Sequence, residues 1–194
     1  AVMRIGGSGA CRGALHNTAQ LTKRFLALSG GFTDTYGSYS SEATDFIKPR
    51  MYGTNAVGID VKTLRYSKLI IRWGFNAADT RFGPETEAVL AEARQRGTQI
   101  VVIDPRRTRT VKRFADWWIP VYPGTDAALM QALLYCILRD RREDRRFIDT
   151  YSVGFEELEA HIFGRDGSGE KSPEWAAGLC GVPAEEIERL ARVY

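Results

Sequence analysis

Three loops in this sequence follow short apolar runs and carry groups that can bind an anion or a sugar. The first loop matches the spacing G-x-G-x-x-x-G at Gly7, Gly9 and Gly13. Glycines at this spacing let backbone amides approach a pyrophosphate at the N-terminus of a helix. Gly7, Ser8 and Gly9 are therefore candidate cofactor-binding residues. A tight turn between a strand and a helix, with no ligand, explains the same pattern equally well.

The second loop, residues 73–80, adds polar side chains. Asn76, Asp79 and Thr80 offer hydrogen bonds to sugar or phosphate oxygens, and Gly74 allows a ligand to approach closely. Because residues of these types also occur simply as helix caps, a binding role and a capping role both stay open.

The third loop, residues 104–110, follows Asp104 with several arginines and threonines. They are Arg106, Arg107, Thr108, Arg109 and Thr110. Guanidinium groups beside hydroxyls suit a phosphate or a guanine ring. A solvated basic corner is the alternative interpretation.

Two further segments carry polar groups whose local pattern favours a plain structural role. In Pro123-Gly124-Thr125-Asp126, a carboxylate stands at the start of a predicted helix, where it could accept paired N–H bonds from a purine. Local physics alone favours simple N-capping by Asp126. Residues 36–41 are dense in hydroxyl groups, and such a cluster usually faces solvent.

The elements that position these loops alternate along the chain. Strands are predicted at residues 2–5, 69–73, 100–103 and 117–121, and helices at residues 17–28, 85–96, 127–139 and from Pro183 onward. This alternation is typical of a parallel sheet covered by helices. We therefore predict an α/β fold with a doubly wound, mostly parallel, Rossmann-like sheet. Such sheets bind ligands at the carboxyl ends of their strands, where the three loops lie.

The domain organisation follows from the same pattern. We predict a dinucleotide-binding core over residues 1–140 and a helical extension of the same region over residues 141–194. The chain begins within a strand pattern and stops within a helical one. We therefore expect a segment of a longer protein, truncated at both ends.

Composition excludes several classes of protein. Of 194 residues, 44% are hydrophobic and 26% are charged, which is typical of a globular domain and not of a disordered or fibrous one. The net charge of +3 is too small to attract nucleic acid in bulk. The longest apolar stretch, residues 127–138, is shorter than the roughly 20 residues that span a bilayer, so we expect no membrane insertion.

Cysteine and histidine spacing predicts no zinc or iron–sulfur site built from this chain alone. Cys11, Cys136 and Cys180 are far apart, and no C-x-x-C pair occurs. His16 and His161 have no partner at a ligand spacing.

Taken in order, motifs across nearly the whole chain resemble the dimethyl sulfoxide reductase family of molybdenum and tungsten oxidoreductases. The motifs are Gly30-Gly31-Phe32, Tyr36-Gly37-Ser38-Tyr39-Ser40-Ser41, Ser67-Lys68-Leu69-Ile70-Ile71-Arg72-Trp73-Gly74-Phe75-Asn76, Ile103-Asp104-Pro105-Arg106-Arg107-Thr108, Ala115-Asp116-Trp117-Trp118-Ile119-Pro120 and Pro123-Gly124-Thr125-Asp126-Ala127-Ala128-Leu129. The last three motifs at this spacing are highly specific. The pattern is most similar to the catalytic subunit of anaerobic, membrane-anchored dimethyl sulfoxide reductases.

The resemblance implies a metal ligand and a branch of the family. Ser40 stands where that subgroup holds molybdenum through a serine oxygen, and a slip of one residue would move the ligand to Ser41. A serine at this point, where other branches have cysteine, selenocysteine or aspartate, implies oxygen-atom transfer and not formate dehydrogenase or periplasmic nitrate reductase. Ser38 departs from the aspartate that close relatives often have.

The resemblance also implies the cofactor contacts. Bis-molybdopterin guanine dinucleotide with molybdenum, or tungsten, is the expected cofactor, and Asp126 is expected to hold the guanine edge. The other residues expected at the cofactor are Gly7, Ser8, Gly9, Trp73, Gly74, Asn76, Thr80, Asp104, Arg106, Thr108 and Gly124. A 4Fe-4S cluster is expected in the parent but without ligands from this segment.

The implied function is part of a catalytic subunit that reduces a sulfoxide or N-oxide in anaerobic respiration. An iron–sulfur electron-transfer subunit and a membrane anchor subunit are the implied partners, in an exported, membrane-associated prokaryotic complex. The isolated chain is expected to be inactive. The alternatives are an NAD(P)-dependent dehydrogenase, based on the glycine loop with Asp34 as a ribose acceptor, and a non-enzymatic nucleotide-binding module.

Overall fold

The computed structural model of the chain describes residues 2–5, 17–35, 37, 41–79 and 85–194. The residues group into two compact units, Ala1–Ile59 and Asp60–Tyr194. Residues 141–194, predicted as a helical extension, belong to the same unit as the sheet described below. The predicted boundary near residue 140 stays a prediction.

The described part of the first unit contains two helices, α1 (Thr18–Leu28) and α2 (Glu42–Tyr52). The Asn17 side chain accepts a hydrogen bond from the Gln20 amide and so caps α1, where the sequence predicts a helix over residues 17–28. The strand predicted at residues 2–5 is present only as a parallel bridge between Met3 and Thr33. In the described part of this unit, no second strand extends that pairing into a sheet.

Among its described residues, the second unit holds three parallel strands, β1 (Leu69–Trp73), β2 (Gln99–Ile103) and β3 (Trp117–Ile119), in the order β1-β2-β3. A 3₁₀ helix over Val61–Tyr66 precedes β1. The pairing places Trp73 opposite Ile103, and Ile103 opposite Ile119. The carboxyl ends of all three strands are therefore level, and the loops that follow them start along one edge.

Helices cover both faces of this sheet. On one face, α3 (Thr86–Gln95) and α4 (Arg109–Phe114) form the two crossovers, and α5 (Asp126–Arg139) packs on the other face after β3. Strand side chains alternate between two apolar clusters. The α3/α4 cluster includes Ile70, Leu90, Ala93, Ile100, Val102, Val111 and Phe114, and the α5 cluster includes Val101, Ile103, Ile119, Leu129, Ala132, Ile187 and Leu190. The predicted α/β fold with an open, doubly wound parallel sheet is confirmed.

Four helices complete the second unit: α6 (Arg145–Tyr151), α7 (Phe155–Ile162), α8 (Pro173–Cys180) and α9 (Ala184–Val193). Both α8 and α9 pack on α5, and α7 also contacts it. Within the described ranges, no helix combines the length and the apolar character that crossing a bilayer requires.

The loop predicted over residues 104–110 is shorter than expected because α4 begins at Arg109. The Thr108 hydroxyl accepts a hydrogen bond from the Val111 amide at 3.3 Å and caps this helix. Thr110 consequently lies inside the first turn of α4 and is fully buried, so its hydroxyl cannot serve a phosphate in this arrangement.

Candidate functional site

The residues that follow the three strands meet at one edge of the sheet. The Gly74 amide donates a hydrogen bond to the Ile103 carbonyl at 2.9 Å, and the Asp104 amide donates to the Ile119 carbonyl at 3.2 Å. These bonds continue the ladder one residue past each strand. The second and third loops therefore start side by side, as expected for ligand-binding loops of an open α/β sheet.

A direct hydrogen bond joins β1 to the start of α5 at this edge. The Trp73 indole N–H donates to Asp126 Oδ1 at 2.7 Å. The prediction that Asp126 is a simple N-cap is wrong: Thr125 occupies the N-cap position, without a side-chain capping bond, and Asp126 is the first residue of α5. The Trp73 indole of β1 thus binds one carboxylate oxygen of Asp126. The second oxygen, Oδ2, has no partner among the described residues.

Polar contacts within the second loop and with Thr110 of α4 hold this loop in shape. The Thr110 hydroxyl donates to Asn76 Oδ1 at 2.6 Å and accepts from the Ala78 amide at 3.0 Å. The Asn76 amide nitrogen donates to Asp79 Oδ2 at 2.5 Å. Asn76 therefore holds the shape of the loop, and its second amide hydrogen remains for a ligand.

Thr110→Val is expected to lower the free energy of unfolding by about 2 kcal/mol. Valine keeps the shape of the side chain but lacks the hydroxyl, so the buried Ala78 amide and the Asn76 side-chain oxygen lose their partner. Urea denaturation followed by circular dichroism measures the change. Thr150→Val is the matched control, since the Thr150 hydroxyl is exposed and bonds only to the Arg146 carbonyl of its own helix. Equal stability of the two variants would contradict the bracing role.

The third loop also combines internal bonds with free groups. Asp104 is 6% exposed, and its Oδ1 accepts from the Arg106 amide at 2.8 Å, which closes a tight turn. The Trp118 indole N–H donates to the Asp104 carbonyl at 2.8 Å. The Arg106 side chain is exposed and has no ion pair among the described residues. The turn thus presents a free guanidinium at the edge.

Arg72, the fourth residue of β1, is a partly buried cation that sequence reasoning missed. Its Nε and Nη2 atoms are buried without a hydrogen-bond partner among the described residues, and its guanidinium carbon lies 3.8 Å from the centroid of the Phe75 ring. Burial lowers the pKa of Arg72 to about 10. All 24 Asp and Glu residues lie in the described ranges, and none forms an ion pair with Arg72 there. A lone arginine in an apolar strand is the signal that could have found it.

Arg72→Met is expected to raise the free energy of unfolding of the ligand-free protein by about 1 kcal/mol, because a side chain of similar length removes an uncompensated buried charge. The midpoint of urea unfolding reports the change. Arg96→Met serves as the control, since Arg96 is exposed and paired with Glu92 at 2.9 Å. A loss of stability in Arg72→Met larger than that in the control would contradict the unpaired state of Arg72.

Several predicted site residues lie outside the described residues: Gly7, Ser8, Gly9, Ser40 and Thr80. Their assigned roles remain predictions. Ser41, the alternative metal ligand, is described in the first unit, where it is partly buried and precedes α2 without capping it through its side chain. Gly124 has a φ of +81°, a backbone conformation that favours glycine, and it forms the turn before Asp126.

Across the described parts of the chain, no group of three or more His, Cys, Asp or Glu side chains is arranged to hold a metal ion. The polar groups beside the strand ends are the carboxylates of Asp104 and Asp126, the exposed guanidinium of Arg106 and the amide of Asn76, and Arg72 is a partly buried cation near the end of β1. Such a set suits a ligand with phosphate groups and a base that carries hydrogen-bond donors.

Comparison with known proteins assigns the chain to a family. The family model for molybdopterin oxidoreductases matches residues 2–158. The chain belongs to the molybdopterin oxidoreductase family. The match covers all three strands, α5 and α6, so the edge described above lies within the part that the family shares.

Individual relatives agree with this assignment. The chain is 36% identical over 187 residues to dimethyl sulfoxide reductase DmsA of Escherichia coli, covering 89% of the chain and 23% of the relative. It is 34% identical over 190 residues to the putative dimethyl sulfoxide reductase chain YnfE of the same organism, covering 90% and 23%. It is 33% identical over 193 residues to the dimethyl sulfoxide/trimethylamine N-oxide reductase of Rhodobacter capsulatus, covering 94% and 23%. The chain thus spans less than a quarter of the length of these curated relatives.

A solved structure supports the fold alone. Acetylene hydratase from Pelobacter acetylenicus superposes with a TM-score of 0.55 at 24% identity, covering 88% of this chain and 22% of that one. The sequence-based assignment to the dimethyl sulfoxide reductase type of molybdopterin oxidoreductase is therefore confirmed at the level of the family and the fold.

Proposed function

We propose that this chain is part of the catalytic subunit of an oxidoreductase that reduces a sulfoxide or N-oxide by oxygen-atom transfer. The relatives named for dimethyl sulfoxide and trimethylamine N-oxide support this substrate class. One observation above all supports a role of this chain in cofactor binding: Trp73, Asp104 and Asp126 lie along one edge of the sheet, within the region that the family model matches. In this proposal the chain supplies part of a bis-molybdopterin guanine dinucleotide site.

The residues at the edge fit this cofactor chemically. Asp126 has a free carboxylate oxygen, and guanine presents two adjacent N–H donors at N1 and N2. Arg106 is an exposed cation, and Arg72 is a cation without a counterion in the described chain. A dinucleotide carries both a base and phosphates. The Asp126 carboxylate could therefore accept hydrogen bonds from the base, and the arginine cations could neutralise the phosphates.

When bound, molybdenum or tungsten would supply the two-electron redox chemistry of oxygen-atom transfer. The residues of this chain bind the cofactor and orient it. Asp126 accepts the N–H groups of guanine, Arg106 neutralises phosphate charge, and the Asp104 turn and Thr110 hold the two loops in register. We further propose that the hydroxyl oxygen of Ser40, or alternatively Ser41, is the protein ligand to the metal.

The remaining parts of the proposal concern the whole protein. They are a 4Fe-4S cluster held outside this chain, an iron–sulfur subunit and a membrane anchor subunit as partners, and an exported, membrane-associated location. The glycine loop of the rival NAD(P)-dependent dehydrogenase lies outside the described residues, so no structural observation favours that function.

The test is chemical analysis of the purified full-length catalytic subunit together with an assay for reduction of dimethyl sulfoxide or trimethylamine N-oxide by a reduced viologen dye. We expect one molybdenum or tungsten atom and two released guanosine monophosphates per subunit, with turnover of at least one of the two substrates. A subunit that contains neither metal nor guanine nucleotide, or that is loaded and reduces neither substrate, would contradict the proposal.

A further inference from the structure

We propose that Trp73 is a positioning residue that fixes the Asp126 carboxylate and thereby makes the site selective for guanine over cytosine and adenine. This inference rests on the proposed function, since it assumes that Asp126 faces the base. It assigns to Trp73 a role in selecting the base that a ring packed in the core does not require.

The indole is rigidly held. Trp73 is the last residue of β1, paired with Ile103 of β2, and it packs partly buried against the apolar cluster on the α5 face. Strand pairing fixes the backbone of Trp73 and core packing restricts its ring, so the indole N–H keeps one direction. The 2.7 Å hydrogen bond from this N–H to Asp126 Oδ1 therefore restricts the rotation of the carboxylate.

The helix that carries Asp126 does not hold the carboxylate itself. Thr125 makes no side-chain capping bond, so the first amides of α5 have no side-chain acceptor from the N-cap residue. Without the indole N–H, the Asp126 carboxylate could turn back to these amides, which are attractive partners for an acidic side chain. The Trp73 bond thus holds the carboxylate in the orientation that leaves Oδ2 free.

A fixed carboxylate distinguishes the bases by their donors and acceptors. Guanine presents two neighbouring donors, N1–H and the N2 amino group, and both carboxylate oxygens can accept them. Cytosine presents the N3 lone pair beside its N4 amino group, and adenine presents the N1 lone pair beside its N6 amino group. A carboxylate that cannot turn away places its negative charge against that lone pair. A freely rotating carboxylate can turn to accept a hydrogen bond from the amino group of cytosine or adenine, and it then loses little binding energy.

The test measures binding of free nucleotides to the cofactor-free full-length subunit. Trp73→Phe keeps the ring and deletes the N–H. We expect this variant to raise the Kd for guanosine monophosphate about tenfold, as loss of one hydrogen bond to a charged acceptor implies. The Kd values for cytidine and adenosine monophosphates should stay nearly unchanged. The ratio of affinities should therefore narrow about tenfold, whereas a general loosening of the fold would weaken all three nucleotides together.

Trp117→Phe is the matched control. Trp117 also donates its indole N–H to a carboxylate, Glu186 Oε2 at 2.9 Å, but it stands at the first position of β3, away from the carboxyl edge. This variant should bind all three nucleotides as the wild type does. If Trp73→Phe does not fold, Trp73→Met, which also fills the space without an N–H, carries the same expectation.

The outcomes separate the two proposals. Wild-type binding of guanosine monophosphate with an unchanged affinity ratio in the Trp73 variants would overturn the positioning role while leaving the proposed function intact. Equal affinity of the wild type for all three nucleotides would also overturn it. Failure of the wild type to bind or contain any guanine nucleotide would remove the proposed function and this inference together.

Discussion

The Asp126→Asn subunit is expected to lose guanine dinucleotide almost completely, with affinity for guanosine monophosphate reduced at least about a hundredfold. A carboxamide has one acceptor and one donor side. If its oxygen accepts from the Trp73 indole, its amino group faces the guanine donors. If its oxygen faces guanine, the amino group meets the indole N–H. Every orientation therefore sets a donor against a donor.

Asp140→Asn is the control for this change. It makes the same substitution at the other end of α5, where Asp140 is exposed and pairs with Arg139 at 2.8 Å. At about 1.5 Å of rise per residue, α5 separates the two positions by roughly 20 Å. Guanosine monophosphate released from each purified variant, counted per folded subunit, measures the effect. Wild-type content in Asp126→Asn would show that the carboxylate does not hold the base.

If Ser40 is a metal ligand, as proposed, Ser40→Ala is expected to lower the steady-state rate of oxygen-atom transfer by at least about a hundredfold, because losing a ligand costs more than losing the contacts that support it. Metal and cofactor content should stay close to the wild type, since in the proposal the cofactor itself would also hold the metal. Ser40→Cys should retain a ligand but change rate and potential, as a soft thiolate replaces a hard oxygen. Rates are measured at matched molybdenum occupancy.

Ser41→Ala controls for a register slip of one residue. Ser41 is partly buried at the start of α2, and its side chain does not cap that helix, so removal of its hydroxyl should cost no more than about 0.5 kcal/mol of stability. Normal turnover of Ser40→Ala together with a collapse of turnover in Ser41→Ala would move the ligand by one residue. Normal turnover of both variants at full occupancy would remove a serine ligand from the account.

The sheet could be predicted because its signals are local and strong. The runs that became β1 and β2 are apolar and rich in β-branched residues, and both strands are buried by helices on two faces. The helix of residues 127–139 differs from α5 by one residue at its start. The edge where loops gather follows from parallel topology alone.

The short helices could not be predicted from the same evidence. α4 has six residues, too few for an apolar period to emerge, and the arginines at its start also suit a solvated loop. The strand at residues 2–5 has β-type residues but only one bridge in the described structure, because a strand forms only where another extended segment can pair with it.

The candidate site shows the difference between residue type and residue contact. Asp126 and Trp73 were both selected from the sequence, yet their hydrogen bond joins positions 53 residues apart and no spacing rule reveals it. Thr110 has the type of a phosphate ligand but is turned inward to brace Asn76. Tertiary contacts decide which polar side chains stay free for a ligand and which stabilise a loop.

A crystal structure of the cofactor-loaded full-length subunit would show directly whether Asp126 holds the guanine. We predict that a guanine ring lies against the carboxyl edge of β1, β2 and β3, with N1 and N2 each within about 3.2 Å of an Asp126 carboxylate oxygen. The Trp73 indole N–H should still donate to Asp126 in that structure. A dinucleotide bound elsewhere, with Asp126 contacting only Trp73 and solvent, would contradict the role of Asp126 as the acceptor for guanine.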